Sequence, residues 1–312
     1  MNKRIFFGVL CMLFAMVRSV YTHNDQLEVT VCTHLGAGFY AEFLKVVDAM
    51  VYFEKENLVR VIPNWTQEFF PYKDQPHENG WPLYFEPVIE ISPCNDILQI
   101  RKMIVDQQHN ALLHDKLWSS YDKLLAHRVM VHKKIKDHIK IKDTILQKLE
   151  LFYQKNMAGC VCIGVHVRFA NVHAQEVPGG RHPSLDEYTT EVNALIKRHQ
   201  GVPLKIFLAS DSHVVINHFK GRYPASMLVY IDAFRSQGSD DPHLIYNADY
   251  WVPRASEFHK KKPGYFGGET TLLDGLLLAK CDYLIHTMSN VSTFAAFMNP
   301  YIKSVYLPKR AQ

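Results

Sequence analysis

The chain has little excess charge of either sign. Its 312 residues carry 35 Lys and Arg against 31 Asp and Glu, a formal net charge of +4. That balance suits a small anionic ligand. It supplies no broad basic field for nucleic acid, and no groove-reading motif accompanies it. Long apolar stretches are also missing. The N-terminal run from Ile5 to Val17 falls short of the roughly 20 residues that cross a bilayer. Lys3 and Arg4 precede it and Arg18 and Ser19 follow it. This is the pattern of a secretory signal over residues 1–19, with cleavage expected near Ser19. An uncleaved anchor is the alternative; with cleavage, no stable membrane span is expected and the protein is exported or enters the secretory pathway. Cysteine is scarce, with six in the chain. Cys11 lies in the signal, while Cys32, Cys160, Cys162 and Cys281 sit in or beside apolar runs, where a free thiol packs as a small hydrophobe. Cys160-Val-Cys162 is not a structural-zinc spacing. The pattern argues for no disulfide framework.

What the chain does have is a stretch that organises the rest, Cys160 to Tyr188. Its apolar start, ending in His166-Val167-Arg168, reads as a buried parallel strand. A polar loop with Pro178, Gly179 and Gly180 follows. A helix then opens with Ser184 at the cap and Asp186 and Glu187 in the first turn. Ligands of open α/β sheets bind outside the carboxyl ends of the strands. His166, Arg168 and the loop after them are therefore the first candidates for chemistry.

Further along, Leu204 to Ser210 reads as a strand ending at Asp211-Ser212, then a helix from His213 to Phe219 and a strand from Met227 to Ile231. This β-α-β-α-β order predicts a parallel, doubly wound sheet. Phe234 to Gly268 reads as a polar insertion. Its His259-Lys-Lys-Lys-Pro-Gly run either closes over a diphosphate or stays solvated. Glu269 is expected to open a helix whose apolar surface, Leu272, Leu273, Leu276, Leu277 and Ala279, includes Asp274. A carboxylate inside that surface needs a partner, unless it sits at a solvated edge. The strand Tyr283 to His286 then leads through Thr287-Met-Ser-Asn-Val-Ser292 into a helix from Thr293 to Met298. Ser289, Asn290 and Ser292 at a helix N-terminus form an anion site, and plain capping explains only one of them.

The first half is less legible. Leu27 to Thr33 reads as a strand, Gly36 and Gly38 as a turn, and the following stretch as a helix; such a turn can face a phosphate or simply be tight. Phe39 and Tyr40 either flank a bound base or sugar or pack in the core. Asn57 to Pro63 is a second strand. Phe69 to Pro93 is irregular and aromatic, and either holds a sugar or packs under a lid. Asp96 to Asn156 looks helical, with a basic run from His127 to Lys142 read as a solvated face over Val131, Ile135, Ile139 and Ile141.

Six segments, in order, carry a family resemblance: GAGF from Gly36, GWPLYFEPV from Gly80, IGVHVR from Ile163, HPSLDEY from His182, FLASD from Phe207 and LLDGLLLAKCDYLIHTMSNVS from Leu272. The chain resembles the α-1,6-fucosyltransferases, core and nodulation types, and more distantly the protein O-fucosyltransferases. The resemblance implies an α/β, GT-B-like fold, two Rossmann-like domains with the donor cleft between them, here residues 24–156 and 157–312. It implies an inverting transfer of fucose from GDP-fucose to a glycan acceptor, with no metal required. Matched by position, Arg168 would hold the β-phosphate, His166 and Asp274 would face the guanine, and Ser289 and Asn290 would lie near the diphosphate. Phe39 matches an aromatic near the donor, Glu176 the proposed base, Tyr188 the tyrosine of the HPxxEY-like element, and Asp211 the acidic residue after the central strand. The family's usual HxRRxDK departs here: Phe169, Asn171 and Val172 replace its second arginine, aspartate and lysine. This leaves a glycosyltransferase using another nucleotide sugar, and a non-catalytic glycan- or nucleotide-binding protein, as alternatives.

Overall fold

In the computed structural model the described residues are 27–32, 38–53, 59–66, 72–75, 78–86, 121–168, 180–181, 183–233, 235, 264–308 and 310–311. The signal segment, Gly36, about half of Phe69 to Pro93, residues 96–120, Glu176 and the basic run at His259 lie outside them. The chain begins with β1 (Leu27–Cys32), α1 (Phe39–Phe53) and β2 (Val59–Asn64), a parallel βαβ unit. A short helix, α2 (Trp81–Tyr84), follows, then α3 (Tyr121–His138) and α4 (Asp143–Asn156). The second unit contains β3 (Val161–Val167), β4 (Gly180–Arg181), α5 (Leu185–Arg198), β5 (Leu204–Ser210), α6 (His213–Lys220) and β6 (Leu228–Val229). It continues with α7 (Gly264–Ala279), β7 (Tyr283–His286), α8 (Asn290–Met298), β8 (Lys303–Tyr306) and β9 (Arg310–Ala311).

The five-stranded sheet runs β6-β5-β3-β7-β8, with all pairs parallel. From β3 the chain steps outward through β5 to β6, then returns to place β7 on the other side of β3. Strand order therefore reverses between β3 and β7, and a crevice opens outside their carboxyl ends. The β-branched and apolar content of β3 explains its burial on both faces. Ile163, Val165 and Val167 face a core shared with Val192, Leu195, Val215 and Phe219 of α5 and α6. Cys162 faces the larger core formed with α1, α7 and α8.

That larger core is built on aromatic rings. Phe39 packs edge-on against Trp65 and Tyr84 at centroid distances of 5.4 and 4.9 Å, and Phe43 packs edge-on against Phe294 at 5.1 Å. α1 and α8 thus share one interior. Gly275 of α7 permits a close approach: a Cβ there would meet the Tyr40 hydroxyl at 2.0 Å and Phe294 Cδ1 at 2.8 Å. The Tyr40 hydroxyl donates to the carbonyl of Thr271 at 2.8 Å and lies 3.1 Å from that of Leu272. Tyr84 donates to the carbonyl of Tyr72 and lies 3.2 Å from that of Tyr265, tying α2 to the start of α7.

Several boundaries differ from expectation for identifiable reasons. α7 starts at Gly264, not Glu269. Gly264 adopts φ +46°, and Asp74 accepts from the Tyr265 N–H at 2.9 Å, so a distant loop caps the helix earlier than any local signal. Glu269 is then an interior helical residue; its buried carboxylate accepts from the Tyr265 hydroxyl at 2.6 Å and pairs with Lys148 at 2.7 Å. The basic run splits, with α3 ending at His138 and Ile141 bridging to Phe85. Val131, Ile135, Ile139 and Ile141 are buried as expected, but so is Arg128. Cys160, Cys162 and Cys281 are free thiols in or against the core.

Gly275→Ala is expected to destabilise the fold by about 1–3 kcal/mol, the usual cost of overpacking a filled core. Gly221→Ala is the control, because its Cβ would come no nearer than 3.6 Å to another atom. Thermal denaturation of both variants checks this, and equal midpoints would contradict the packing described.

Candidate functional site

The site lies where the strand order reverses. β3 and β7 pair with His166 opposite His286, and β3 and β5 pair with Val167 opposite Ser210. Three strand ends therefore open on one edge. β7 then passes through Thr287 and Met288 to Ser289, the N-cap of α8. Ser289 Oγ accepts from the Ser292 N–H at 3.1 Å, and Ser292 Oγ accepts from the Ser289 N–H at 3.1 Å. This reciprocal cap explains both serines; the sequence reading credited capping with only one. Ser289 Oγ also lies 3.1 Å from His166 Nδ1. That bond joins β3 to the start of α8 across the crevice, and both groups are buried. Asn290 is the first residue of α8 and half-buried.

His286 is fully buried. Its Nδ1 donates to the carbonyl of Thr287 at 2.8 Å, and its Nε2 lies 2.6 Å from Ser304 Oγ. The carbonyl can only accept, so Nδ1 carries the proton and Nε2 accepts from the serine. Burial, aided by the positive charge of Arg128, pushes its pKa down to about 4. It is a neutral strut under the β7 end.

Asp274 comes from above the sheet. Gly164 of β3 lies beneath α7, and a Cβ there would meet Leu278 Cδ2 and Cys281 Sγ at 3.1 Å. The Asp282 N–H donates to the carbonyl of Cys162 at 2.9 Å, so α7 ends at the start of β3 and runs against it. One turn back along α7, about 6 Å, reaches Asp274. Two residues forward along β3, about 6.6 Å, reach His166. The carboxyl and the strand end are thus level. Asp274 keeps some accessible surface, yet its Oδ1 is sealed and has no hydrogen-bond partner among the described residues. Burial raises its pKa to about 7, opposed by the Arg235 guanidinium. The partner expected for Asp274 is therefore a charge, and one acceptor atom is left open.

The structure sorts the other candidates. Arg168 follows β3 directly and is half-buried at the same edge, as is Asp211 directly after β5. Gly38 precedes α1, and its carbonyl accepts from the Glu42 N–H at 3.1 Å. Gly36 and Glu176 lie outside the described residues, as do Phe169, Asn171 and Val172. Two candidates sit in the cores. Phe39 is 1% exposed within the aromatic core. Tyr188 is buried against the opposite face of β3 from Cys162, in the α5 and α6 core, so it supports the strand from below. The capping box of Ser184 and Glu187 expected for α5 is present. Arg235 was not read as a site residue. Arg235 hides in a segment that reads as a polar insertion, and its only local signal is its place shortly after a strand. Among the described residues no cluster of His, Cys, Asp and Glu could hold a metal, and no helix is long and apolar enough to cross a membrane.

An α/β chain with a parallel Rossmann-like sheet, a smaller βαβ unit docked on it and a site at the switch point has the architecture of the GT-B class. Solved structures agree. The fucosyltransferase NodZ from Bradyrhizobium matches at 18% identity over 88% of this chain and 92% of that one, with a TM-score of 0.53. A NodZ α-1,6-fucosyltransferase soaked with GDP-fucose matches at 19% identity over 88% and 93%, with a TM-score of 0.53. Nodulation protein Z of Sinorhizobium fredii is 23% identical over 256 residues, 69% of this chain and 74% of the relative. Residues 122–308 match the family described as Nodulation protein Z (NodZ), and the chain belongs to that family.

The buried carboxyl gives a test with a definite sign. An unfolded Asp ionises near 3.9. Asp274 in the folded chain holds its proton to about pH 7. The folded state therefore binds more protons between these values, and stability falls as pH rises through that window. Asp274→Asn should gain thermal stability over the parent as pH rises from about 4 to about 7, the interval in which the unfolded parent is charged and the folded parent still protonated, and the gap should level off above it. A gap independent of pH would mean that the carboxyl is solvated.

Proposed function

We propose that this chain transfers fucose from GDP-fucose to a hydroxyl of a glycan or glycoside, with inversion at the sugar carbon. One observation carries the reading. Three parallel strand ends and the N-terminus of α8 meet at the β3–β7 switch point, tied by the Ser289–His166 contact, beneath a buried carboxyl with an open acceptor. Membership of the NodZ family supports it, as do the printed names of relatives that are fucosyltransferases.

Departure of a nucleoside diphosphate leaves negative charge that must be stabilised as it develops. In this reading Arg168 meets the β-phosphate with a planar fork of N–H donors. The free N–H groups and dipole of α8 around Ser289 and Asn290 act on the same charge from a fixed position. His166, held at Nδ1 by Ser289, lines the base side of the crevice. Asp274 accepts from the N1–H and N2–H of guanine, a donor pair that adenine lacks. Glu176 removes the proton of the acceptor hydroxyl, the hydroxyl oxygen attacks the sugar carbon from the face opposite the diphosphate, and the carbon–oxygen bond to the diphosphate breaks. No step in this scheme uses a resident metal. The N-terminal signal pattern supports work on an exported or secretory-pathway glycan.

Phe169, Asn171 and Val172 favour a second reading, transfer from a different nucleotide sugar, because the residues after Arg168 lack the two cations and the aspartate of the family pattern. Binding of GDP, UDP and ADP measured by calorimetry separates the two; the first reading expects GDP to bind most tightly. Arg168→Ala should lower the transfer rate on the order of 10²–10³-fold, the usual consequence of losing one donor to a developing oxyanion. Transfer at the parental rate in that variant would overturn the role given to Arg168, and donor turnover of any kind would eliminate a purely binding protein.

A further inference from the structure

The two halves of the proposed donor grip sit on different helices. Asp274 belongs to α7, and Ser289 and Asn290 open α8. A ligand that reaches both halves needs them a fixed distance apart. At the end of the pair away from the crevice, Asn299 Nδ2, just past α8, donates to the carbonyl of Ala279, the last residue of α7, at 2.8 Å. Nearer the crevice the pair is held by a side chain of the N-terminal unit, Tyr40 of α1.

Tyr40 is 2% exposed. Its ring centroid lies 4.5 Å from that of Phe294 in α8. Its hydroxyl donates to the carbonyl of Thr271 in α7 at 2.8 Å and lies 3.1 Å from that of Leu272. The approach is as close as the missing β-carbon of Gly275 allows. Thr271 precedes Asp274 by three residues, about 4.5 Å along the helix, and Phe294 follows Asn290 by four, about 6 Å. The tyrosine therefore stands within about one turn of each ligand-facing group. Burial, and after it the charge of Asp274, hold the pKa of its hydroxyl well above the usual value, so it remains a donor at neutral pH. On the far side of α8, His132 Nδ1 of α3 donates to the carbonyl of Phe297 at 2.9 Å and keeps that helix against the wedge. Phe43 also meets Phe294, edge-on at 5.1 Å, but a contact between rings is apolar and broad. A hydroxyl on a carbonyl has a preferred distance and angle.

We propose that Tyr40 is a positioning residue that sets the span between the carboxyl of α7 and the anion-facing turn of α8, and so matches the crevice to a nucleoside diphosphate. The proposal rests on the reading of those two groups as the donor grip. It assigns Tyr40 no contact with the ligand. The N-terminal unit then takes part in donor recognition from behind the two helices.

The test is binding of GDP, guanosine and inorganic pyrophosphate to the full chain, by calorimetry for GDP and by NMR titration for the two fragments. Guanosine reaches one half of the grip and pyrophosphate the other, so neither senses the span. GDP senses it, because its second contact depends on the effective concentration that the span sets. Tyr40→Phe keeps the ring and removes the hydroxyl. In that variant the dissociation constant for GDP should rise on the order of tenfold, while those of the fragments stay within about twofold of the parent. Phe294→Leu, which removes the other side of the wedge, should give the same pattern. Thermal midpoints keep each comparison at a temperature where the variant is folded. Parental GDP binding in Tyr40→Phe, or equal weakening of all three ligands, would overturn the proposal and leave Tyr40 a core residue. Asp274→Asn should weaken guanosine and GDP and spare pyrophosphate. If it weakens neither, or if the parent binds neither fragment, the donor grip itself fails. That outcome is distinct from an Asp274→Asn variant that loses guanosine while Tyr40→Phe binds GDP as the parent does.

Discussion

The close contact between Gly164 and α7 sets the geometry on which the rest of the site depends. A β-carbon at that position would crowd Leu278 Cδ2, Cys281 Sγ and the carbonyl of Tyr283, each at 3.1 Å. Without one, the helix lies low on β3, and the height of Leu278 above the strand is determined. Helical rise then brings Asp274 level with His166, because one turn of helix and two residues of strand cover nearly the same distance. The second glycine, Gly275, lets Tyr40 and Phe294 close against the same helix. α7 is thus held from both sides by absent side chains, and its one acidic residue facing the sheet end is carried to the crevice by packing.

Much of the second half was legible because its signals are local. β3, β5 and β7 are short apolar runs with polar stops, and the Ser184 cap carries its own glutamate partner. Their βαβ order predicts parallel pairing, and pairing puts the strand ends together. The parts that were not legible depend on distant groups. The first five residues of α7, Gly264 to Gly268, read as loop because their cap is supplied by Asp74, nearly two hundred residues earlier in the chain. Phe39 and Tyr188 resemble ligand contacts in their motifs, yet an aromatic ring satisfies a core equally well, and only burial distinguishes the two. Arg235 carries no motif. Its place is visible only when the carbonyls of Ser210, Ile231 and Ala233 are seen around one guanidinium.

The changed residues after Arg168 have a consistent electrostatic meaning. The family pattern places a second arginine, an aspartate and a lysine there; this chain has Phe169, Asn171 and Val172. Losing cations and an anion together keeps the local balance closer to neutral than losing either alone. The demand for positive charge at the leaving diphosphate does not change, because it comes from the chemistry of the donor. In the proposed reading it therefore falls more heavily on Arg168 and on the fixed dipoles of α8. A dipole of that kind is worth most where water is excluded, and Ser289 and Ser292 at its start are indeed buried.

A buried carboxyl with an open acceptor is a poor choice for stability, since a desolvated charge without hydrogen bonds is unfavourable. Asp274 therefore makes sense only as a group waiting for donors. His286 shows the contrary solution in the same crevice. More completely buried, it is kept neutral by desolvation, while its two hydrogen bonds fix its tautomer, and it serves as a strut. The difference between them is the neighbour. Arg128 opposes the charging of His286, and Arg235 favours the charging of Asp274. Two buried arginines thus push two buried titratable groups toward opposite states. One group is neutral and structural; the other is held near its ionisation point, so that in the proposed reading a modest gain in hydrogen bonds from a bound base would fix its charge. In that reading, selectivity for the base and a local cost in stability are two consequences of one arrangement.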